Sequence, residues 1–391
     1  MADLAVGLGA NVQPGQIVTV SADLGTEEVV REIAAGAYRR GAKFVDVTYF
    51  DPRVKRARIE RAESGTLEFV PPWYGERIRE LGRLHAARIA VTSPSDPHAL
   101  SDLDPERLGR DQLPAVAEWM DVLGQRTINW TIVAYPTPGW AQLAYPHLDP
   151  IEALERLCDE LVHVCRLDEP DPVAAWRARM AELDSVAGRL TALGLDSLRF
   201  EGPGTDLSVG LLPSSTWLGA ASTTVDGLEH LPNLPTEEVF TTPDPERVEG
   251  HVRSTRPLVL VDGSIVRGLE IRFEGGRAVE IDAEEGAGVM RARVARDEGA
   301  ARLGEVALVD RESRIGRLGT VFYETLLDEN ATSHIALGSA YEEAVAEEDV
   351  PRVNQSGIHV DFMIGGDDVD VTGVTRAGAA VPILRGGAWQ V

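Results

Sequence analysis

Residues 17–49 read IVTVSADLGTEEVVREIAAGAYRRGAKFVDVTY, and this stretch decides the fold of the first half of the chain. Residues 17–21 are apolar and largely β-branched, which is typical of a strand. A helix rich in valine, isoleucine and alanine is predicted to follow and to end at Gly41. A second strand is predicted over residues 44–49. The order strand, helix, strand indicates two parallel strands joined by a crossover helix.

The same alternation continues downstream. Further strands are predicted over residues 84–92 and 127–135, with helical segments between them, and a long helix over residues 172–193. We therefore expect residues 1–195 to form an α/β N-terminal domain with a largely parallel sheet. Because a chain of 391 residues exceeds one ordinary core, a second domain is expected over residues 196–391.

The second half of the chain has a different pattern, with short strands and turns. Asp262-Gly263 and Gly275-Gly276 are hairpin signals, and a helix is predicted over residues 284–303. The predicted fold of this half is α+β with antiparallel strands, and it carries every proposed metal ligand. Its predicted strands cover residues 198–200, 206–211, 258–261, 264–273 and 278–281.

Composition excludes several classes of partner. The net charge of −25 argues against a nucleic-acid-binding surface. No apolar run of about 18 residues is present, so no membrane partner is expected. The N-terminus lacks the pattern of a signal peptide, which favours a cytoplasmic protein. Cys158 and Cys165 lie two turns apart on a predicted helix, about 10.5 Å, too far for a disulfide and consistent with the cytoplasm.

Candidate metal ligands occur in four short segments that offer oxygen and nitrogen atoms but no thiolate. The clearest geometry is that of His359 and Asp361, which lie two apart on a predicted strand and so project from the same face. Glu305 follows Gly304 at the start of an apolar run, where a strand end can hold a carboxylate rigidly. The four segments cover residues 236–243, 304–309, 328–341 and 357–364.

Each of these residues also has an ordinary structural interpretation. A single glutamate such as Glu238 or Glu329 is commonly a solvated surface charge. His359 and Asp361 could form only a structural hydrogen bond, although a buried carboxylate needs a partner. Glu329 and His334 are too far apart for one strand face and poorly spaced for one helix face. Their spacing predicts a loop that wraps around an ion.

The four segments resemble those of the M29 (aminopeptidase T/AmpS) family of metallo-aminopeptidases. Their order and approximate spacing match, and the similarity runs over nearly the whole chain. The His-Glu-x-x-His helix of common zinc proteases is absent. The matching sequences are LPTEEVFTTP at 234–243, GEVAL at 304–308, DENATSHIALG at 328–338 and HVDFM at 359–363.

This resemblance implies a site for two divalent metal ions. Glu305 is expected to bridge the ions, and Tyr341 is expected either to donate a hydrogen bond to the oxyanion or to serve only for packing. Glu237 is a weak candidate for the general base, while the match through Glu-Val-Phe favours its neighbour as the ligand. The implied ligands are Glu238, Glu305, Glu329, His334, His359 and Asp361.

The implied activity is an aminopeptidase that releases N-terminal amino acids from peptides through an activated water. Without sulfur ligands, the two ions could be zinc, cobalt, manganese or magnesium. The resemblance further implies a peptide substrate with a free N-terminus. It also implies a homodimer whose N-terminal domains restrict access to the sites.

Two other functions remain open at the level of sequence. His334, His359 and Asp361 alone would form the two-His-one-carboxylate triad of a mononuclear Fe(II) ring-cleaving oxygenase on the same fold. The second alternative is a non-catalytic binding protein with a degenerate site. Retention of the three glutamate ligands argues for the dinuclear hydrolase over the oxygenase, and the six intact candidate ligands argue against a degenerate site.

Overall fold

The computed structural model describes residues 1–111, 113, 117–260 and 263–391. Its α-helices are α1 (Ala2–Leu4), α2 (Glu27–Arg39), α3 (Pro52–Arg61), α4 (Pro72–Arg83), α5 (Pro105–Arg110), α6 (Ala117–Gly124), α7 (Pro138–Ala144), α8 (Pro150–Val164), α9 (Pro172–Ala192), α10 (Ala287–Val294) and α11 (Thr325–Glu329). A π-helical turn covers Ala5–Gly9, and 3₁₀ turns cover Ser64–Thr66, Gly299–Ala301, Gly316–Leu318, Glu342–Ala344 and Val350–Arg352.

The strands of the first half and the region after it are β1 (Ile17–Asp23), β2 (Phe44–Phe50), β3 (Ala87–Thr92), β4 (Asn129–Ala134), β5 (Leu195–Gly202), β6 (Thr205–Leu211), β7 (Ser222–Thr223), β8 (Glu229–His230), β9 (Asn233–Leu234) and β10 (Glu238–Thr241). The later strands are β11 (Pro243–Arg253), β12 (Leu258–Val259), β13 (Ile265–Val266), β14 (Glu270–Glu274), β15 (Arg277–Asp282), β16 (Leu303–Val309), β17 (His334–Gly338), β18 (His359–Met363), β19 (Asp370–Thr375), β20 (Ala380–Arg385) and β21 (Ala388–Trp389).

The first sheet is parallel, with the strand order β2-β1-β3-β4-β9. One face is apolar: Val18 and Val20 of β1 and Ile89 of β3 are fully buried in the same core as Ile33 of α2. Period-two alternation places polar residues of the same strands, such as Thr19, on the opposite face. The predicted α/β half with a largely parallel sheet is therefore confirmed.

The last strand of this sheet comes from the second half of the chain. Asn233 and Leu234 of β9 pair with Ile132 and Val133 of β4. The sheet that begins the second half starts at β5, whose first residue is Leu195. A domain boundary near residue 195 stays a prediction, and β9 crosses it because its backbone completes the first sheet.

The second half contains antiparallel sheets, as predicted. One has eight strands in the order β15-β14-β11-β6-β5-β19-β20-β21. A second has four strands in the order β10-β16-β17-β18, and β16 is buried along its whole length, while two short sheets pair β7 with β8 and β12 with β13. Gly275 and Gly276 both have positive φ and turn the chain from β14 into β15, which confirms one predicted hairpin. Asp262 of the other hairpin signal lies outside the described residues.

The predicted helix over residues 284–303 is wrong in length, because the α-helix covers only Ala287–Val294. The Asp297 carboxylate accepts hydrogen bonds from the Ser356 hydroxyl and the Gly357 N–H. These contacts anchor the segment to the loop before β18, and the tertiary structure overrides local helix propensity.

None of the helices in the described part of the chain combines the length and the apolar character that crossing a bilayer requires. Cys158 and Cys165 are both free, in agreement with the expectation that they form no disulfide.

Candidate metal centre

The four-stranded sheet brings the predicted ligands together. Ala336 in β17 pairs with Glu305 of β16 on one side and with Asp361 of β18 on the other. Residues in one row across a sheet project from the same face. The small side chain of Ala336 thus separates two carboxylates that share one face.

His359 lies on the same face as Asp361, two residues earlier, as the strand alternation predicted. Its Nε2 lies 3.2 Å from Glu305 Oε2 and 3.3 Å from Asp361 Oδ1. Its Nδ1 is 2.8 Å from the carbonyl oxygen of Ser339. Donation from Nδ1–H to that carbonyl would fix the tautomer and leave the Nε2 lone pair free for an ion.

His334 is held in the same way at the start of β17. Its Nδ1 is 2.9 Å from the carbonyl oxygen of Glu329, while Nε2 lies 3.0 Å from Glu238 Oε2. Glu238 is the first residue of β10, which lies at the edge of this sheet. Both histidines therefore point Nε2 at carboxylates, with the other nitrogen on a backbone carbonyl.

Glu329 ends α11, and four residues separate it from His334 at the start of β17. The predicted loop is therefore only these four residues long, with Glu329 at a helix end and His334 at a strand start, and its wrapping around an ion stays a prediction. The Glu329 carboxylate accepts hydrogen bonds from the side-chain amides of Asn233 and Asn330 at 3.3 and 3.4 Å. It lies in electrostatic range of Asp361, Glu238 and Glu305.

The ligand atoms form two overlapping groups, each with atoms within 4.8 Å of one another. One contains Glu238, Glu305 and His334, and the other contains Glu305, His359 and Asp361. Glu305 belongs to both groups. This shared position is the one that a bridging carboxylate would occupy.

The charges of the buried cluster are poorly compensated by protein groups. Burial raises the pKa of Glu305, and burial together with the charge of Asp361 raises that of Glu329 well above its usual value. Burial lowers the pKa of His334, but the Glu238 carboxylate outweighs this and brings it to about 9. The buried carboxylates repel one another, so the cluster would bind a cation favourably.

The donor set fits divalent ions. Oε2 of Glu238 is buried, and no group donates a hydrogen bond to it with suitable geometry, although His334 Nε2 is close. A histidine nitrogen and a carboxylate oxygen this close offer two donor atoms to one cation, which would take the place of the proton shared between them. The four ligand carboxylates carry a formal charge that two divalent cations would balance.

Tyr341 lies beside this cluster. Its ring packs edge-on against His359, with centroids 5.3 Å apart, and against Phe240 at 5.6 Å. Burial raises the pKa of its phenol above the usual value, and nearby His359 opposes this rise. The hydroxyl therefore remains protonated at neutral pH and available as a hydrogen-bond donor.

Glu237, the weak candidate for the general base, lies outside the two ligand groups and contacts two arginines instead. Its side chain is fully buried, with Oε1 2.8 Å from Arg166 Nη2 and Oε2 2.7 Å from Arg179 Nε. A carboxylate held between two arginines in this way is not placed to contact a substrate in the cavity. Glu237 is a structural ion-pair residue.

A cavity of about 580 Å³ opens over the cluster. Its opposite wall is the polar face of the first sheet, including Thr19, Arg88 and Trp130. The sequence interpretation missed this wall entirely. The available signal was the polar alternation in β1 and β3, because strands of a parallel sheet covered on both faces are usually continuously apolar.

Comparisons with known proteins agree with this geometry. The family model described as thermophilic metalloprotease (M29) matches residues 1–389. This chain belongs to the M29 family. Aminopeptidase T of Thermus aquaticus is 43% identical over 100% of this chain and 98% of its own length. Aminopeptidase AmpS of Bacillus subtilis is 37% identical over 99% and 97%, respectively.

A solved structure supports the fold of this M29 member. Wild-type AmpT from Thermus thermophilus is 42% identical and superimposes with a TM-score of 0.86, covering 100% of this chain and 98% of the other. The predicted family and the predicted class of enzyme, a metallopeptidase, are confirmed. The alternative of a ring-cleaving oxygenase finds no support, since His334, His359 and Asp361 do not stand apart from the glutamates.

Proposed function

We propose that this M29 enzyme releases N-terminal amino acids from peptides through a dinuclear divalent-metal site and an activated water. The observation that carries the proposal is the position of Glu305 in both ligand groups on one sheet face. Glu238 and His334 would hold one ion with Glu305, and His359 and Asp361 the other. Glu329 would complete a coordination shell from the end of α11.

Bound divalent ions would supply Lewis acidity, which polarises the scissile carbonyl and lowers the pKa of a water molecule toward neutral. The protein's own residues position these charges. The buried backbone contacts of both histidines hold their rings in place, as outer contacts of metal ligands do elsewhere. The absence of sulfur ligands leaves zinc, cobalt, manganese and magnesium as candidates.

Tyr341 would donate a hydrogen bond to the oxygen on which negative charge develops. Its neutral phenol beside His359 supports this role over packing alone. The cavity volume of about 580 Å³ lies within the range of small-ligand sites. A peptide with a free N-terminus would place its amino group at the metal centre and its first peptide bond near Tyr341.

The function is tested with a panel of aminoacyl p-nitroanilides and dipeptides, using protein stripped of metal and then reloaded with zinc, cobalt, manganese or magnesium. We expect release from free amino termini only, restored by metal, and none from amino-blocked controls. Glu305→Gln should lose both bound metal and turnover while its circular dichroism spectrum is kept. Near-normal activity in that variant would contradict the bridging role.

Two further properties belong to the same proposal. We expect a homodimer, because the edge strand β2 exposes Phe44, Val47 and Tyr49 to solvent in the single chain. Sedimentation of the purified protein as a monomer would contradict it. We also expect a cytoplasmic location, which the two free cysteines favour; fractionation of the source cells tests it.

A further inference from the structure

The wall of the cavity opposite the metal centre carries a row of three side chains. Thr19 of β1 and Trp130 of β4 both pair with Arg88 of β3. All three line the cavity, and they come from the first sheet. A positively charged side chain therefore faces the acidic cluster across the space where substrate would lie.

Arg88 has no hydrogen-bond or ion-pair partner among the described residues. Its Nε is buried and receives no acceptor. Its guanidinium carbon lies 4.7 Å from the ring centroid of Trp119, so the aromatic face supports one side of the group. Burial lowers its pKa to about 10, and Tyr341 opposes this decrease. The side chain stays cationic at neutral pH.

Three of the other arginines around the cavity have neighbours of opposite charge. Arg77 is bonded to Asp46, and Arg126 Nη1 lies 3.8 Å from Glu343 Oε2. Arg296 is followed in sequence by Asp297, and the negative charges of Asp297 and Asp111 both stabilise its charged form. A partly buried guanidinium without an anionic partner costs free energy, and a bound anion would recover it.

The chemistry of the proposed substrate supplies that anion. A short peptide carries an amino group at one end and a carboxylate at the other, and the wall opposite the metal centre presents a cation to the carboxylate. We propose that Arg88 binds the C-terminal carboxylate of the substrate and so selects short peptides, mainly dipeptides and tripeptides. This inference rests on the proposed aminopeptidase function.

The position of Arg88 limits the length of the peptide. The electrostatic influence between Arg88 and Tyr341 places the guanidinium near the residue that lies beside the scissile bond. A carboxylate at Arg88 would follow that bond by one or two residues. The planar guanidinium can bind both oxygens of a carboxylate. A C-terminal amide, or a peptide that continues past this position, could not make the same pair of contacts.

The test compares three substrates that share the best-cleaved N-terminal residue: its dipeptide with alanine, the same dipeptide as C-terminal amide, and its p-nitroanilide. We expect the wild type to prefer the free acid over the amide in kcat/KM. Arg88→Gln should lower kcat/KM for the free acid about 10- to 100-fold and leave the amide and the p-nitroanilide unchanged. Arg88→Lys should have a kcat/KM for the free acid between those of the wild type and Arg88→Gln, since lysine keeps the charge but not the planar guanidinium.

Arg77→Gln is the matched control, because that arginine lines the same cavity but is bonded to Asp46. It should retain the preference for the free acid. Equal use of acid and amide by the wild type would overturn the inference, and this measurement does not depend on any variant folding. A uniform loss on all three substrates in Arg88→Gln would also overturn it. So would an acid preference that survives in Arg88→Gln and disappears when Arg296 is substituted.

Inhibition gives a second readout. Free dipeptide should inhibit p-nitroanilide hydrolysis more strongly than its amide in the wild type, and the two should inhibit equally in Arg88→Gln. If the wild type cleaves p-nitroanilides but shows no acid preference, the function stands and the role of Arg88 fails. If no substrate is cleaved with any metal, the proposed function fails and the inference falls with it.

Discussion

Glu237 and Glu238 are adjacent in sequence, but their substitution by glutamine should have opposite consequences. The Glu237 side chain is fully buried between Arg166 and Arg179, while Glu238 faces His334 in the metal centre. We expect Glu237→Gln to lower stability without loss of metal. We expect Glu238→Gln to lose metal while the metal-free protein keeps its stability.

The size of the first effect follows from burial. The two arginine side chains paired with Glu237 are 8% and 19% exposed, so removal of the carboxylate leaves two largely desolvated cations. Breaking a buried ion pair in this way costs about 3–5 kcal/mol. Unfolding entropy scales with length, and for 391 residues this cost corresponds to a decrease in Tm of about 4–6 °C.

Glu238 differs because its partners are other ligands. Removal of its charge relieves repulsion from Glu305 and Glu329 in the metal-free protein, which offsets the lost attraction to His334. Its glutamine variant should therefore show an unchanged or higher Tm in chelator.

The assay combines thermal unfolding in chelator with metal content after dialysis against zinc, for the wild type and both variants. A Glu237→Gln protein with wild-type Tm and reduced metal content would refute the assignment of that residue as structural. Loss of several degrees in metal-free Glu238→Gln would contradict the other half of the reasoning.

Two further predictions concern Tyr341 and His230. Tyr341→Phe keeps the ring contacts with His359 and Phe240, so it should lower kcat about 100-fold with little change in KM; steady-state kinetics that leave kcat unchanged would restrict Tyr341 to packing. Burial lowers the pKa of His230 to about 4 against an ordinary 6.5, so the unfolded chain binds a proton first as the pH falls. Its stability contribution is complete above pH 6.5, and about 3 kcal/mol is lost between pH 6.5 and pH 4. Thermal unfolding of His230→Phe, which keeps an aromatic ring beside Trp130, should lose less stability over this interval; parallel curves would contradict the prediction.

The strands of the first half were predictable because each is a short run rich in β-branched and other apolar residues with clear boundaries. The predicted segment 44–49 is observed as Phe44–Phe50, and residues 127–135 as Asn129–Ala134. The helix over 284–303 failed for the opposite reason. Its residues favour a helix locally, but the contacts of Asp297 with the loop before β18 end it at Val294.

The predicted site shows the same division. Period-two alternation correctly placed His359 and Asp361 on one face, since that relation is local. Alternation does not tell which face of a strand meets the cavity, so it could not separate Glu237 from Glu238 by geometry. Only the family resemblance favoured Glu238, and the contacts of Glu237 with two arginines supply the physical reason.

The sequence by itself determined the kinds of ligand, the strands that carry most of them and the family of the chain, because these depend on local order and residue type. The tertiary structure decided which groups meet. Glu305 and Asp361 share a row only because both strands pair with Ala336, and that register is set by contacts between segments distant in sequence. The same long-range packing places Arg88 opposite the metal centre, where an unpaired cation can contribute to substrate selection.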